Sequence, residues 1–451
     1  MGEKRDLVND MSVGSPAKKL FFFAIPMVIG NLFQQLYNVI DSMIVGRYVG
    51  EDALAAVGAS TAIVFLFVAL AIGSSIGYSV VISQFFGAKE MKQMKTAITT
   101  SLIASVAFGG ILMVFGAVFS GPLLHFMNTP AKIYESANDY LIIYMMSMIF
   151  LFLYNTLNGV YNALGASRIP LCFLFCSSVL NIILDLIFVL NFHMGVVGVA
   201  WATLISQGVA AVISLIFLYI RIKEMKLGKV ERYFDVKLLL QMGRIAVPSM
   251  VQQSIVSVGC LLVQGLVNSF GSVVLAGYTA ATKIDNITIV PMINVGNAVS
   301  TFTAQNIGAK KPERVKKGYH AGMLLVSSIA IVIATILFVK GEFLISLFTN
   351  ENTSIQVIQV GVSYLRVVSI FYVLMGWMNV TNAILRGAGD GTVFMVTTLC
   401  NFICRVAFAY ILADQIGYEG IWWALPIGWF VCLAMGYVRY RGDKWKQKGM
   451  I

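Results

Sequence analysis

Charge is scarce in this 451-residue chain: Asp, Glu, Lys and Arg make up 12% of it, against about 25% in soluble domains. A soluble core of this length needs a polar surface that such a composition does not supply. Histidine is scarcer still, with only His125, His193 and His320, each near the end of an apolar run. A phosphate-binding loop is missing, because Gly228-Lys229 lacks both the Gly-x-x-x-x spacing and the following Ser or Thr. That argues against an ATP-driven machine and leaves an ion gradient as the energy source. No enzyme signature is found. The six cysteines, Cys172, Cys176, Cys260, Cys400, Cys404 and Cys432, all lie inside apolar runs. Cys172/Cys176 and Cys400/Cys404 are spaced i,i+4, but no further Cys or His lies nearby to complete a zinc site; the six imply no disulfide framework and read as small packing residues. The first twenty residues are polar, so no cleaved signal peptide is expected.

What is present is apolar: 58% of the residues are hydrophobic. Runs long enough to cross a bilayer, roughly 20 residues each, recur from end to end. They predict an all-α integral membrane protein. Twelve helices are expected near 20–46, 53–82, 96–120, 134–163, 169–192, 196–220, 238–268, 273–303, 318–340, 356–385, 392–413 and 418–438. A β-barrel would need alternating strands of about 10 residues, whereas these runs are longer and continuous. The net charge of +11 comes from Lys and Arg in alternate connectors, as the positive-inside rule requires. Nucleic acid is therefore not an expected partner, and the lipid bilayer is. The basic connectors include Lys18, Lys19, Lys89, Lys92, Lys95, Arg168, Lys310, Lys311, Arg314 and Arg439. The other set carries Glu51, Asp52, Glu135, Asp139, Asp414 and Glu419. This alternation predicts a multi-pass cell-membrane protein with both termini in the cytoplasm.

The chain repeats itself. Gln84-Phe85-Phe86-Gly87-Ala88-Lys89 matches Gln305-Asn306-Ile307-Gly308-Ala309-Lys310 at an offset of 221 residues, and Ala24-Ile25-Pro26 matches Ala246-Val247-Pro248 at 222. Gly195, Gly198, Trp201 and Ala202 match Gly417, Gly420, Trp423 and Ala424, again at 222. Two pseudo-symmetric six-helix bundles are expected: residues 1–220, a linker at 221–237, and residues 238–451. Parallel repeats of this kind predict a substrate site between the halves.

Polar groups at membrane depth are costly and face a cavity or one another. In the first span Asn31, Gln34, Gln35, Asn38 and Asp41 share one helical face. Asn181 and Asp185 are one turn apart in the fifth span, and Thr203 and Gln207 in the sixth. Asn155, Asn158 and Asn162 lie in the fourth. The second half offers Gln252, Gln253, Ser257, Gln264 and Asn268, then Lys283, Asp285, Asn286, Asn294 and Asn297, and Arg405 mid-span. Lys283 and Asp285 are two apart and do not face each other on a helix. The Asn and Gln residues serve either interhelical hydrogen bonding or a cavity. For Asp41 and Asp185, unpaired carboxylates in lipid, function is the better reading. Gln34, Gln35, Asn38, Asn155, Asn158, Gln253, Gln264, Asp285 and Met292 are the candidate cavity residues. Met and aromatic side chains there would give adaptable walls.

The run Gln35-Leu36-Tyr37-Asn38-Val39-Ile40-Asp41, with Val45-Gly46 and Val49-Gly50, is similar to the multidrug and toxic compound extrusion (MATE) transporters. So are Gln305-Asn306-Ile307-Gly308-Ala309, Leu385-Arg386-Gly387-Ala388-Gly389-Asp390, and Arg405. The resemblance covers nearly the whole chain and lies nearest the DinF-like and MepA-like bacterial branch. It implies secondary antiport, with proton or sodium entering as cationic amphipathic drugs or dyes leave. It implies no cofactor, and a monomer is expected. It further implies a cation site, possible for Na+ as well as H+, at Asp41, Asn181, Asp185 and Thr203. The acids of the NorM-like branch would fall near Val256 and Met375, so that site is missing here. A lipid-linked oligosaccharide flippase of the same superfamily is the alternative, and a non-transporting scaffold is disfavoured by the buried acids.

Overall fold

The computed structural model describes residues 9–224, 232–348 and 354–449. Among them the regular structure is entirely helical, as lipid demands of a chain that must satisfy its own backbone. The first unit of the repeat contains α1 (Pro16–Ile44), α2 (Glu51–Gly87), α3 (Met91–Phe126), α4 (Ala131–Met146), α5 (Met148–Ala163), α6 (Arg168–Leu186) and α7 (Gly195–Glu224). The second contains α8 (Val236–Asn268), α9 (Ser272–Thr288), α10 (Val290–Gly308), α11 (Pro312–Ser346), α12 (Ile355–Ile370), α13 (Tyr372–Ala388), α14 (Gly391–Ile416) and α15 (Glu419–Arg441).

Among the described residues, ten segments are long and apolar enough to cross a membrane, with α9 and α10 together forming one of them. Two more are bent pairs, α4 with α5 at 48° and α12 with α13 at 51°. Counting each pair as one span gives the twelve expected. Both bends sit at a tightened turn: Ser147 N–H bonds the carbonyl of Tyr144, and Phe371 N–H that of Val368, an i→i−3 pattern that interrupts an α-helix. The helices overrun the apolar runs at their ends. Helix α2 starts at Glu51, with Asp52 beside it in the first turn, where acids suit the helix dipole. Helix α11 starts at Pro312, a favoured first position. An apolar run marks the lipid slab, whereas a helix continues until it is stopped.

The chain forms two compact units, with borders that differ from those expected at 220 and 238. One unit takes Asn9 and Ile29–Met250; the other takes Asp10–Val28 and the chain from Val251 on. Each switch falls inside a helix, α1 after Val28 and α8 after Met250. The first half of α1 carries Leu20, Phe23 and Ala24 into a core with Val295, Phe302 and Val380 of the second unit. The first half of α8 lies against α2 because α2 has glycines there. A Cβ on Gly73 would lie 2.5 Å from Met250 Cα, and one on Gly77 would lie 2.4 Å from Ala246 N. Residues 225–231 of the expected linker lie outside the described residues.

The repeated Gln-x-x-Gly-Ala-Lys is a helix-ending turn made twice. Ala88 N–H bonds Gln84 O at 2.9 Å, and Ala309 N–H bonds Gln305 O at 2.9 Å. Lys89 then takes φ 62° and Lys310 φ 56°, an uncommon conformation for a side-chain-bearing residue. The Leu-Arg-Gly-Ala-Gly-Asp motif is also a joint. Arg386 donates to Asn297 Oδ1 at 2.9 Å and Ser300 Oγ at 3.2 Å. Gly387 packs so closely that a Cβ would lie 2.3 Å from Ser300 O, and Gly389 has φ +94°. Asp390, which is 4% exposed, accepts from Arg439 Nε at 2.7 Å, tying the start of α14 to the end of α15. Asp390→Ala leaves Arg439 without its partner, so it should destabilise the protein by about 3 kcal/mol. The check is a detergent melting curve, and a melting point equal to wild type would remove this pair from the account.

Candidate cation site

The first unit brings together the four residues expected to hold a cation. Helix α1 supplies Tyr37 and Asp41, one turn apart. Helix α6 supplies Asn181 and Asp185, also one turn apart, and α7 supplies Thr203. Asn181 is 1% exposed and Asp185 is fully buried; Asp41 is half-buried. The carboxyl groups of Asp41 and Asp185 meet at hydrogen-bonding distance. Two ionised carboxylates offer only acceptors, so this contact needs a proton or a cation between them. One oxygen of each, Asp41 Oδ1 and Asp185 Oδ1, has no hydrogen-bond partner.

The Asn181 amide is oriented by its neighbours. Its oxygen accepts from Thr203 N–H at 3.1 Å, a contact the amide nitrogen cannot make. Its nitrogen therefore donates to Asp185 Oδ2 at 2.9 Å and to the Tyr37 hydroxyl at 2.9 Å. This orientation is assigned from the hydrogen-bond network. It turns a donor, not an oxygen, toward the carboxylates. A sodium ion here would find Asp41 Oδ1 and Asp185 Oδ1, but it would require the amide to turn over before Asn181 could serve as a ligand. A proton requires no such change.

Aromatic residues complete the surroundings. Tyr140 of α4 is within electrostatic range of both acids, and Tyr144 is within range of Asp41. Their rings lie 6.0 Å apart. The Tyr144 hydroxyl hydrogen-bonds the Gln207 side chain on α7. Sequence reasoning missed Tyr37, Tyr140 and Tyr144. The available signal was Tyr37 at i−4 from Asp41 and the Tyr140/Tyr144 pair at i,i+4, all absorbed into a general aromatic count.

The candidate cavity residues fall in both units. Gln34, Gln35 and Asn38 are exposed on α1. Asn155 Nδ2 bonds the carbonyl of Leu151 in its own helix, and its own carbonyl accepts from Ser75 Oγ at 2.6 Å. Asn158 lies beside the Tyr154 hydroxyl, and its Oδ1 has no hydrogen-bond partner. Gln253 is half-buried, and Gln264 Nε2 donates to Asn268 Oδ1 at 3.2 Å. Met292 has no exposed surface and packs in the core of the second unit with Tyr364 and Tyr372, so it belongs to the core rather than to an open wall. An unbranched thioether fills an irregular gap well, and that is its use here. Asp285 is held by the hydroxyls of Tyr364 and Tyr372. Among the described residues there is no cluster of three or more His, Cys, Asp or Glu able to hold a metal.

Comparison with known proteins gives one consistent result. The MatE family profile matches residues 26–187 and again 248–411, an internal duplication at the offset seen in the sequence. "Probable multidrug resistance protein YpnP" of Bacillus subtilis (strain 168) is 30% identical over 443 residues, covering 97% of each chain. A solved MATE in complex with MaL6 superposes with a TM-score of 0.90 at 26% identity, over 97% of this chain and 99% of that one. An outward-facing multidrug resistance MATE family transporter of the MOP superfamily gives 0.89 at 26% identity, over 97% and 98%.

Proposed function

The chain belongs to the MatE family of membrane transporters, and from that premise we propose that it exports lipophilic cations in exchange for protons. The observation that carries this reading is the contact of Asp41 with Asp185, with Asn181 donating into it. One proton between the two acids makes that contact favourable. Losing it leaves two charges close together in a low-dielectric setting, where repulsion is strong. The pair must then part or accept another cation. Antiport needs proton and drug to favour opposite states of one equilibrium, because a ligand with equal affinity for both shifts nothing.

Helix α1 is the element through which such a change would act. Its first half belongs to one unit and its second half, with Asp41, to the other. Pro26 lies just before the switch, where its missing N–H weakens the helix. Protonation at Asp41 would change how the second half is held, and the hinge at Pro26 would take up the difference.

The substrate class follows from charge and walls. A carboxylate attracts a cation, and a tyrosine face adds about 0.5–2 kcal/mol of cation–π attraction. The test is efflux of an ethidium-like dye from liposomes carrying the purified protein. A proton gradient should drive efflux at equal sodium, and a sodium gradient at equal pH should not. Efflux driven by sodium alone would replace the proton in this reading. Unchanged dye handling in cells, with altered cell-wall precursor levels, would favour a lipid-linked oligosaccharide flippase instead.

The proposed orientation, with both termini cytoplasmic, has its own check. Single cysteines at Glu135 and Asp414, in a cysteine-free background, should react with an impermeant maleimide added outside whole cells. One at Lys317 should react only after permeabilisation. The reverse pattern would invert the topology.

A further inference from the structure

The antiport reading leaves one half-buried acid of the second unit idle. Asp285 lies one turn before the break between α9 and α10. Its Oδ2 accepts from the Tyr364 hydroxyl of α12 at 3.1 Å, and its Oδ1 accepts from the Tyr372 hydroxyl at the start of α13. These tyrosines flank the 51° bend at Phe371. Thr288 Oγ1, at the end of α9, lies 3.1 Å from the Tyr372 hydroxyl and 3.0 Å from the Asp285 carbonyl. One carboxylate thus ties together both interrupted spans of the second unit at their breaks.

The first unit has the same design. Helices α4 and α12 are each 16 residues long and both precede a bend. Tyr140 and Tyr364 hold the same position in them. Tyr140 lies beside Asp41 and Asp185, and Tyr364 touches Asp285. Each unit sets a carboxylate against a tyrosine of its bent span, although the acids come from non-equivalent helices.

We propose that Asp285 is a second proton-carrying site, so that each transport cycle exchanges two protons for one lipophilic cation. The proposal rests on the proton antiport reading. Both Asp285 oxygens already accept from the Tyr364 and Tyr372 hydroxyls, which leaves a sodium ion few free lone pairs to bind, whereas a proton can enter once one tyrosine turns away. A protonated Asp285 has one acceptor position fewer and a hydrogen to donate. One tyrosine must then turn, which loosens the tie across the bend. Charge acts in the same direction. Arg405 of α14 lies within electrostatic range of Asp285 without forming an ion pair with it, and its Nε has no hydrogen-bond partner. With Asp285 ionised the two charges balance. With Asp285 protonated the Arg405 charge is uncompensated, and a cationic substrate is disfavoured nearby. The remaining groups facing the site are Tyr278 of α9 and, beside it, Cys260 of α8. Lys283 points elsewhere, with its Nζ 6.0 Å from the Phe348 ring centroid.

The test is the dye gradient at which net flux stops, in liposomes carrying the full-length protein with the membrane potential clamped at zero. For an about tenfold proton gradient, two exchanged protons hold an about hundredfold dye gradient and one holds about tenfold. Wild type should balance at the hundredfold value and Asp285→Asn at the tenfold value, with dye binding retained as evidence of folding. Tyr372→Phe removes a hydrogen bond but no acid, and should stay at the hundredfold value. An Asp285→Asn balance equal to wild type, a wild type that balances at tenfold, or a Tyr372→Phe that drops with Asp285→Asn each overturns the proposal while antiport stands. A wild type with no proton-driven flux overturns the antiport reading itself.

Discussion

Asp41→Asn should abolish gradient-driven efflux, lowering the initial rate by more than about tenfold to that of empty liposomes, while the protein stays folded in the membrane. The amide has nearly the shape of the acid and can still hydrogen-bond to Asp185. It removes the charge of Asp41 and fixes that side chain in a permanently neutral form. With Asp41 held neutral, α1 has no change of charge to respond to, whatever proton Asp285 still carries. Asp185→Asn should impair efflux comparably, because the two carboxyls act as a pair. Asp285→Asn should cost less, since it leaves the first pair intact. The measurement is initial dye efflux at matched protein density, and wild-type efflux from Asp41→Asn would end the first-unit reading.

Gly77→Leu should have the largest effect on the fold. A Cβ there lies 2.4 Å from the backbone nitrogen of Ala246 and 2.5 Å from its Cα. Backbone cannot swing aside as a side-chain tip can, so α2 and the first half of α8 must separate. Overpacking costs about 1–3 kcal/mol when side chains can adjust, and a backbone clash of this depth should exceed that range. Expression as a monodisperse species should be lost, or its melting point should fall well below wild type. Gly58→Ala on the same helix is the control, since a Cβ there meets nothing within 4 Å. A stable Gly77→Leu protein would mean that the two helices are not packed as described.

The architecture was legible because lipid leaves few options. Long apolar runs in water have several fates, whereas in a bilayer they must be helices. The repeat was legible because its most distinctive words, Gln-x-x-Gly-Ala-Lys and Ala-x-Pro, sit where backbone geometry restricts the choice of residue. The unit borders were not legible. Hydropathy reports where a helix lies in lipid but not which neighbour it packs on, and the glycines at 73 and 77 that bring α8 to the first unit belong to a different helix.

The site was legible in part. Asp41 and Asp185 stand out because a carboxylate in lipid is expensive. Asn181 and Thr203 came through family resemblance, and their geometry supplies the reason: Thr203 N–H orients the amide that donates to Asp185. The tyrosines were hidden among 18 of their kind, since an aromatic residue in a membrane helix is usually packing. Asp285 was noticed as a polar residue, but its partners come from helices about 80 residues further along the chain. No spacing rule on one helix reveals such a contact.

The most direct test of the central claim is proton movement itself. Liposomes carrying the protein and a trapped pH indicator are given an outward dye gradient with no initial pH difference. If Asp41 and Asp185 carry the proton that is exchanged for substrate, the wild-type interior should become more acidic as dye leaves, and Asp41→Asn liposomes should show no change. Dye leaving wild-type liposomes without any pH change, or an equal acidification with Asp41→Asn, would contradict the account.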